Sequence, residues 1–135
     1  MTKGYSKILT MGIALLAALL LVGCGTVPVY NINDAPVEVD ATNYSAKDVK
    51  KAIIKAGMEL GWRIKEKKPG ELIGKLHIRK HTATVKIPYS KSGYSIIYTE
   101  STGLKYNAEK DEIHKSYNKW VRNLDNKIQI NLFSL

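Results

Sequence analysis

The chain has 135 residues with 21 Lys+Arg against 12 Asp+Glu, a formal charge of +9, and it is 44% hydrophobic and 24% charged. That length suits one domain, and the balance excludes a disordered tail protein and a multi-pass membrane protein. Residues 1–23 hold Lys3, Lys7 and no acid, so the part beyond them keeps a charge of +7.

Lys3 and Lys7 precede an apolar run from Ile8 to Val22, interrupted by Thr10 and Gly12. This is the layout of an export signal, and the run falls short of the roughly 20 apolar residues of a bilayer span. Leu21-Val22-Gly23-Cys24 then resembles the lipobox of bacterial lipoproteins: an aliphatic residue, two smaller ones, and the cysteine. The resemblance implies cleavage of residues 1–23, a diacylglycerol thioether on Cys24 and a fatty acyl group such as palmitate on its new amino group. A thiolate is the natural nucleophile for that thioether, and Gly23 lets a peptidase approach the backbone closely. Cys24 is the only cysteine, so no internal disulfide can form. Gly25, rather than aspartate, follows it. By resemblance to the sorting signals of enteric bacteria, this implies the outer membrane of a Gram-negative envelope, facing the periplasm.

Residues 24–44 contain Pro28, Pro36, Asn31, Asn33, Asn43, Asp34 and Asp40, residue types that punctuate structure rather than propagate it. They are expected to form a lipidated, flexible tether reaching roughly 66 Å if fully extended. Val27–Tyr30 and Val37–Val39 are apolar fragments that could dock on the domain.

Residues 45–135 form the expected periplasmic domain. Ser45 and Asp48 have capping-box spacing, and Val49, Ile53, Ala56 and Leu60 recur at helical spacing up to Gly61. Four alternating segments follow, with Trp62, Ile64 and Glu66 on one face of the first and Leu72, Gly74, Leu76 and Ile78 on the second. Ala83, Val85, Ile87 and Tyr89 line the third, and Tyr94, Ile96 and Tyr98 the fourth. Gly, Pro and Ser turns separate them, as in consecutive hairpins. The expected register sets Glu66 opposite Leu72, Ile78 opposite Ala83 and Tyr89 opposite Tyr94. Ile113, Tyr117, Trp120, Val121, Leu124 and Ile128 then mark a helix beginning near Asp111, whose first acids suit the macrodipole. The fold class is α+β: a four-stranded antiparallel meander with one helix before it, one after it, and both on one face.

The other sheet face would present Arg63, Lys65 and Lys67, then Lys75, His77 and Arg79, then Thr82, Thr84 and Lys86. In the expected register Arg63, Lys75 and Lys86 lie side by side, and like charges directly opposite repel. Either the face is simply solvated, its long side chains splayed into water, or it meets an anionic partner: an acidic envelope protein, a phospholipid or a phosphorylated glycan. Export argues against nucleic acid. His77, His81 and His114 lack supporting Cys or paired carboxylates, so no metal is expected. No nucleophile elbow, zincin motif, P-loop or dinucleotide fingerprint is present. A non-catalytic binding or structural module without a cofactor is therefore expected.

Ile64…Pro69-Gly70, Arg79–Val85, Tyr94–Tyr98 and Ile113-His114…Tyr117-Asn118…Trp120-Val121…Leu124 together resemble a group of small proteobacterial outer-membrane lipoproteins with an N-terminal lipobox. That resemblance implies the lipid anchor and the envelope location but no activity. It directs attention to Arg79, His81, Ser101, Tyr106, His114, Tyr117 and Asn118.

Overall fold

A computed structural model describes residues 25–135. The segment 1–23 expected to direct export, including Leu21, Val22 and Gly23, and the acylation candidate Cys24 lie outside the described residues. The elements run β1 (Thr26–Pro28), β2 (Ile32–Pro36), α1 (Ala46–Glu59), β3 (Arg63–Lys68), β4 (Glu71–Ile78), β5 (His81–Pro88), β6 (Gly93–Thr102), β7 (Glu112–His114) and α2 (Lys115–Phe133).

The helix α1 starts where its cap requires. Ser45 Oγ accepts from the Asp48 amide at 3.4 Å, and the Asp48 carboxylate accepts from the Ser45 amide at 2.8 Å. Val49, Ala52, Ile53, Ala56 and Gly57 form its buried stripe. Leu60, expected in that stripe, is instead the C-cap and is partly exposed. Gly57 permits the close approach of α1 to β3, since a Cβ there would stand 2.3 Å from Ile64 Cδ1. Lys50 and Glu66 pair at 3.0 Å and tie the helix to the sheet edge, and that hydrogen bond raises the lysine's pKa.

The sheet is α+β in setting and antiparallel throughout, but it has five strands rather than four, in the order β2-β6-β5-β4-β3. The fifth comes from the segment expected to be a flexible tether. Ile32 pairs with Ile96 and Pro36 with Gly93, while β1 forms a separate two-stranded ribbon with β7. Ile32 is buried, and Val29, Tyr30, Ala35, Val37, Val39 and Tyr44 pack on the core. Pro28 and Pro36 are tolerated because an edge strand has a side where no ladder donor is needed. Among the described residues, regular structure thus starts with β1 at Thr26, inside the segment expected to be a tether.

The second helix begins at Lys115, not near Asp111. Asp111 has φ of 50° and sits in a turn, and Glu112–His114 are extended against β1. Ile113 fits the helical stripe but is buried from β7. The cap is His114, whose Nδ1 accepts from the Ser116 amide at 3.1 Å, and no acid lies in the first turn. Tyr117, Val121, Leu124, Ile128 and Leu132 face the core, each large aliphatic member stabilising the fold by about 1.5–3 kcal/mol. Both helices share one core with Leu72, Leu76, Val85, Ile87 and Ile96, so among the described residues the opposite sheet face carries no helix.

Candidate functional site

The uncovered face is built by strand alternation. Two rows of side chains cross it: Arg63, Lys75, Thr84 and Glu100 in one, and Lys65, Ile73, Lys86 and Ile97 in the next. Arg63 and Lys75 are opposite each other as expected, but Lys86 does not continue their row. The β4–β5 turn is two residues, Arg79-Lys80, so Ile78 pairs with His81 rather than Ala83 and the register moves by two. Arg79 takes φ of 55°, the left-handed geometry that suits a two-residue hairpin turn. It therefore leaves the face altogether. Lys67 also leaves the regular ladder, because the β3–β4 pairing is bulged between Glu66 and Lys68. His77 remains opposite Thr82, and its Nε2–H donates to the Arg79 carbonyl at 2.9 Å.

Two acids break the expected run of like charge. Glu71, largely buried, stands 3.7 Å from Lys68 Nζ and 4.0 Å from Lys86 Nζ. Glu100 ends the Arg63–Lys75–Thr84 row. Glu71 was legible from parity along β4, two residues from Ile73 and four from Lys75, whereas Glu100 stands three residues from Ile97 and reaches this face only through the irregularity in the β5–β6 pairing. Between the rows, a depression of about 330 Å³ is lined by Ile73 and by Arg63, Lys65, Glu66, Lys67 and Lys75. A second, of about 630 Å³, is lined in part by Arg63, Lys75, His77, Thr82, Thr84 and Glu100. The arrangement offers an aliphatic floor ringed by cations.

The three histidines do not converge. His81 Nδ1–H donates to the Gly103 carbonyl at 2.9 Å, while His77 and His114 have the separate partners described above. No group of three or more His, Cys, Asp or Glu side chains could hold a metal among the described residues. Among them also, no helix is long and apolar enough to cross a membrane.

The positions marked by the family resemblance gather at one end of the domain. Tyr98 stacks on Tyr106 at 4.4 Å and meets Tyr117 edge-on at 5.4 Å, with its hydroxyl 2.8 Å from Ser101 Oγ. Burial pushes the Tyr98 hydroxyl's pKa up and pushes that of Tyr117 up further. The Tyr117 hydroxyl has no hydrogen-bond partner among the described residues. Asn118 is the buried polar residue of the core. Its Oδ1 accepts from the Tyr30 amide at 3.0 Å, and its Nδ2 donates to the Pro28 carbonyl at 2.9 Å. It is thus a clamp on the N-terminal segment. Only a polar residue within an apolar helical stripe could have signalled it.

No family model, curated protein or solved structure matches this chain.

Proposed function

We propose that the chain is a lipid-anchored envelope lipoprotein whose domain is a non-catalytic docking module. On this reading the polypeptide is exported, cut before Cys24 and acylated there. It is held in the outer membrane facing the periplasm, as in the lipoprotein group it resembles. The observation that carries the docking role is the uncovered sheet face, where Ile73 forms an aliphatic floor ringed by Arg63, Lys65, Lys67 and Lys75, with Glu66 the one acid among them. An apolar centre with a polar rim is the anatomy of a protein interface, and the cations select an acidic surface.

A photo-crosslinker at Ile73 in cells should capture one discrete protein, and Lys65→Glu with Lys75→Glu should abolish that capture. Recovery of only self-adducts and bulk lipid sinks the docking role. For the anchor, Cys24→Ala should accumulate as unprocessed precursor without acyl groups, and normal processing of that variant refutes it.

A second reading is favoured by the excess of cations over Glu71 and Glu100 on the face: direct binding of an anionic lipid or glycan. It requires Arg63→Gln, Lys75→Gln and Lys86→Gln together to abolish binding to anionic liposomes at low salt.

A further inference from the structure

The end of the domain that carries Gly25 has a composition and a constraint that the docking face does not explain. A single residue, Gly25, separates Cys24 from Thr26, whose Cα is paired with His114. Two steps of about 3.8 Å hold the Cys24 Cα within roughly 7.6 Å of β1. The polar layer on each side of a bilayer is itself only about 5–8 Å thick. A diacylglycerol on Cys24 therefore leaves no slack, in contrast with the long tether that the sequence suggested.

What else lies at that end is fixed by hydrogen bonds. His114 donates its amide to the Leu104 carbonyl at 2.8 Å, and His81 bonds the neighbouring Gly103 carbonyl. Gly103 (φ 73°) is packed so closely that a Cβ there would lie 2.9 Å from the Lys80 carbonyl oxygen. The Arg79-Lys80 turn, the Leu104–Asp111 loop, β1, β7 and the start of α2 thus form one connected base. Its exposed cations are Arg79, Lys80, Lys105, Lys110 and Lys115. Its acids are Glu109, Asp111 and Glu112, the last accepting from Thr26 Oγ1 at 2.8 Å. Two exposed apolar groups join the cations: Ile78 beside the turn, and Tyr106, 41% exposed and stacked on Tyr98.

We infer that this base is a membrane seat, in which Arg79, Lys80, Lys105, Lys110 and Lys115 lie against anionic phospholipid headgroups of the bilayer that holds Cys24. The inference rests on the proposed acylation of Cys24. Cations at such a surface are attracted within a Debye length, and an amphipathic tyrosine suits the headgroup level. Strands β4, β5 and β6 run away from the base, so the sheet stands up from the membrane. Its basic outer face then remains open to a partner in the aqueous phase.

The test uses the acylated full chain reconstituted in vesicles of phosphatidylethanolamine and phosphatidylglycerol containing a headgroup-quencher lipid. Because the Cys24 sulfur would be blocked as a thioether, a newly introduced cysteine is the sole site for a fluorescent label. Labels on Lys80→Cys and Lys105→Cys should be quenched severalfold more than labels on Lys68→Cys and Lys91→Cys, which lie at the opposite end of the strands. Replacing phosphatidylglycerol by phosphatidylcholine should reduce that difference, and an unchanged difference overturns the anionic-headgroup assignment. Equal quenching at all four positions, with the acyl mass present on the N-terminal peptide, overturns the seat alone. Absence of that mass overturns the anchor, and the seat with it.

Discussion

Replacing Asn118 by Ala should release the N-terminal strands while leaving the rest of the sheet closed. Asn118 is 6% exposed and satisfies two backbone groups, the Tyr30 amide at 3.0 Å and the Pro28 carbonyl at 2.9 Å. A net hydrogen bond contributes about 0.5–1.5 kcal/mol, and a buried group left unpaired costs about 1–3 kcal/mol. Because both partners are backbone atoms that can regain water only if the segment lifts away, the expected loss is about 2–4 kcal/mol, confined to the pairing of β1 and β2. A domain of this size has about 5–15 kcal/mol in total, so it should remain folded. Native-state hydrogen exchange reads the effect directly. The Val27, Val29 and Ile32 amides should exchange about 30- to 1000-fold faster, while the β4–β5 amides keep their protection. Asn118→Asp adds a diagnostic, since it retains the acceptor for Tyr30 but aims a carboxylate at the Pro28 carbonyl. That arrangement raises the carboxyl's folded pKa, so the defect should be relieved as pH falls and the acid regains a proton to donate. Unchanged exchange in both variants would refute the clamp.

Two tyrosine-to-phenylalanine substitutions should differ in sign. Tyr94 donates to Asp125 at 2.5 Å, so Tyr94→Phe should cost about 1.5–3 kcal/mol in denaturant unfolding, whereas Tyr117→Phe removes a buried unpartnered hydroxyl and should be neutral or stabilising. Burial holds both hydroxyls' pKa values above the usual tyrosine range, with the Asp125 carboxylate contributing at Tyr94. Spectrophotometric titration of the native protein should leave both protonated until unfolding, and their contribution to stability falls as pH rises above about 10. At the acid end, the Ser45 hydrogen bonds lower the Asp48 pKa. The cap's stabilisation is then present above about pH 4 and lost as pH falls through the lowered value. Ser45→Ala should flatten that part of the melting-temperature profile between pH 5 and pH 2, and an unaltered slope counts against the capping box.

Local rules carried the sequence reading where the cause was local. Ser45 and Asp48 met within one turn, and Tyr89 met Tyr94 across a short loop. The Arg79-Lys80 turn was misplaced because a non-glycine residue adopts positive φ there, and that error moved Lys86 out of the Arg63–Lys75 row. The strands β1 and β2 and the late start of α2 were illegible for a shared reason. Each exists because of a partner far along the chain, and proline, asparagine and aspartate hid the pairing. The same distance hid the role of Asn118, a position the resemblance marked without a partner, since its two backbone partners lie 88 and 90 residues away.

That separation has a consequence for the order of folding. The segment holding β1 and β2 is synthesised early, yet its partners β6, β7 and α2 come last in the chain. Closing a loop of this length costs about 4 kcal/mol of chain entropy beyond a constant, which the ladders to β6 and β7 and the Asn118 clamp offset together once those elements exist. Until then the outer edge of β6 has no neighbour, and an open edge invites pairing with other chains.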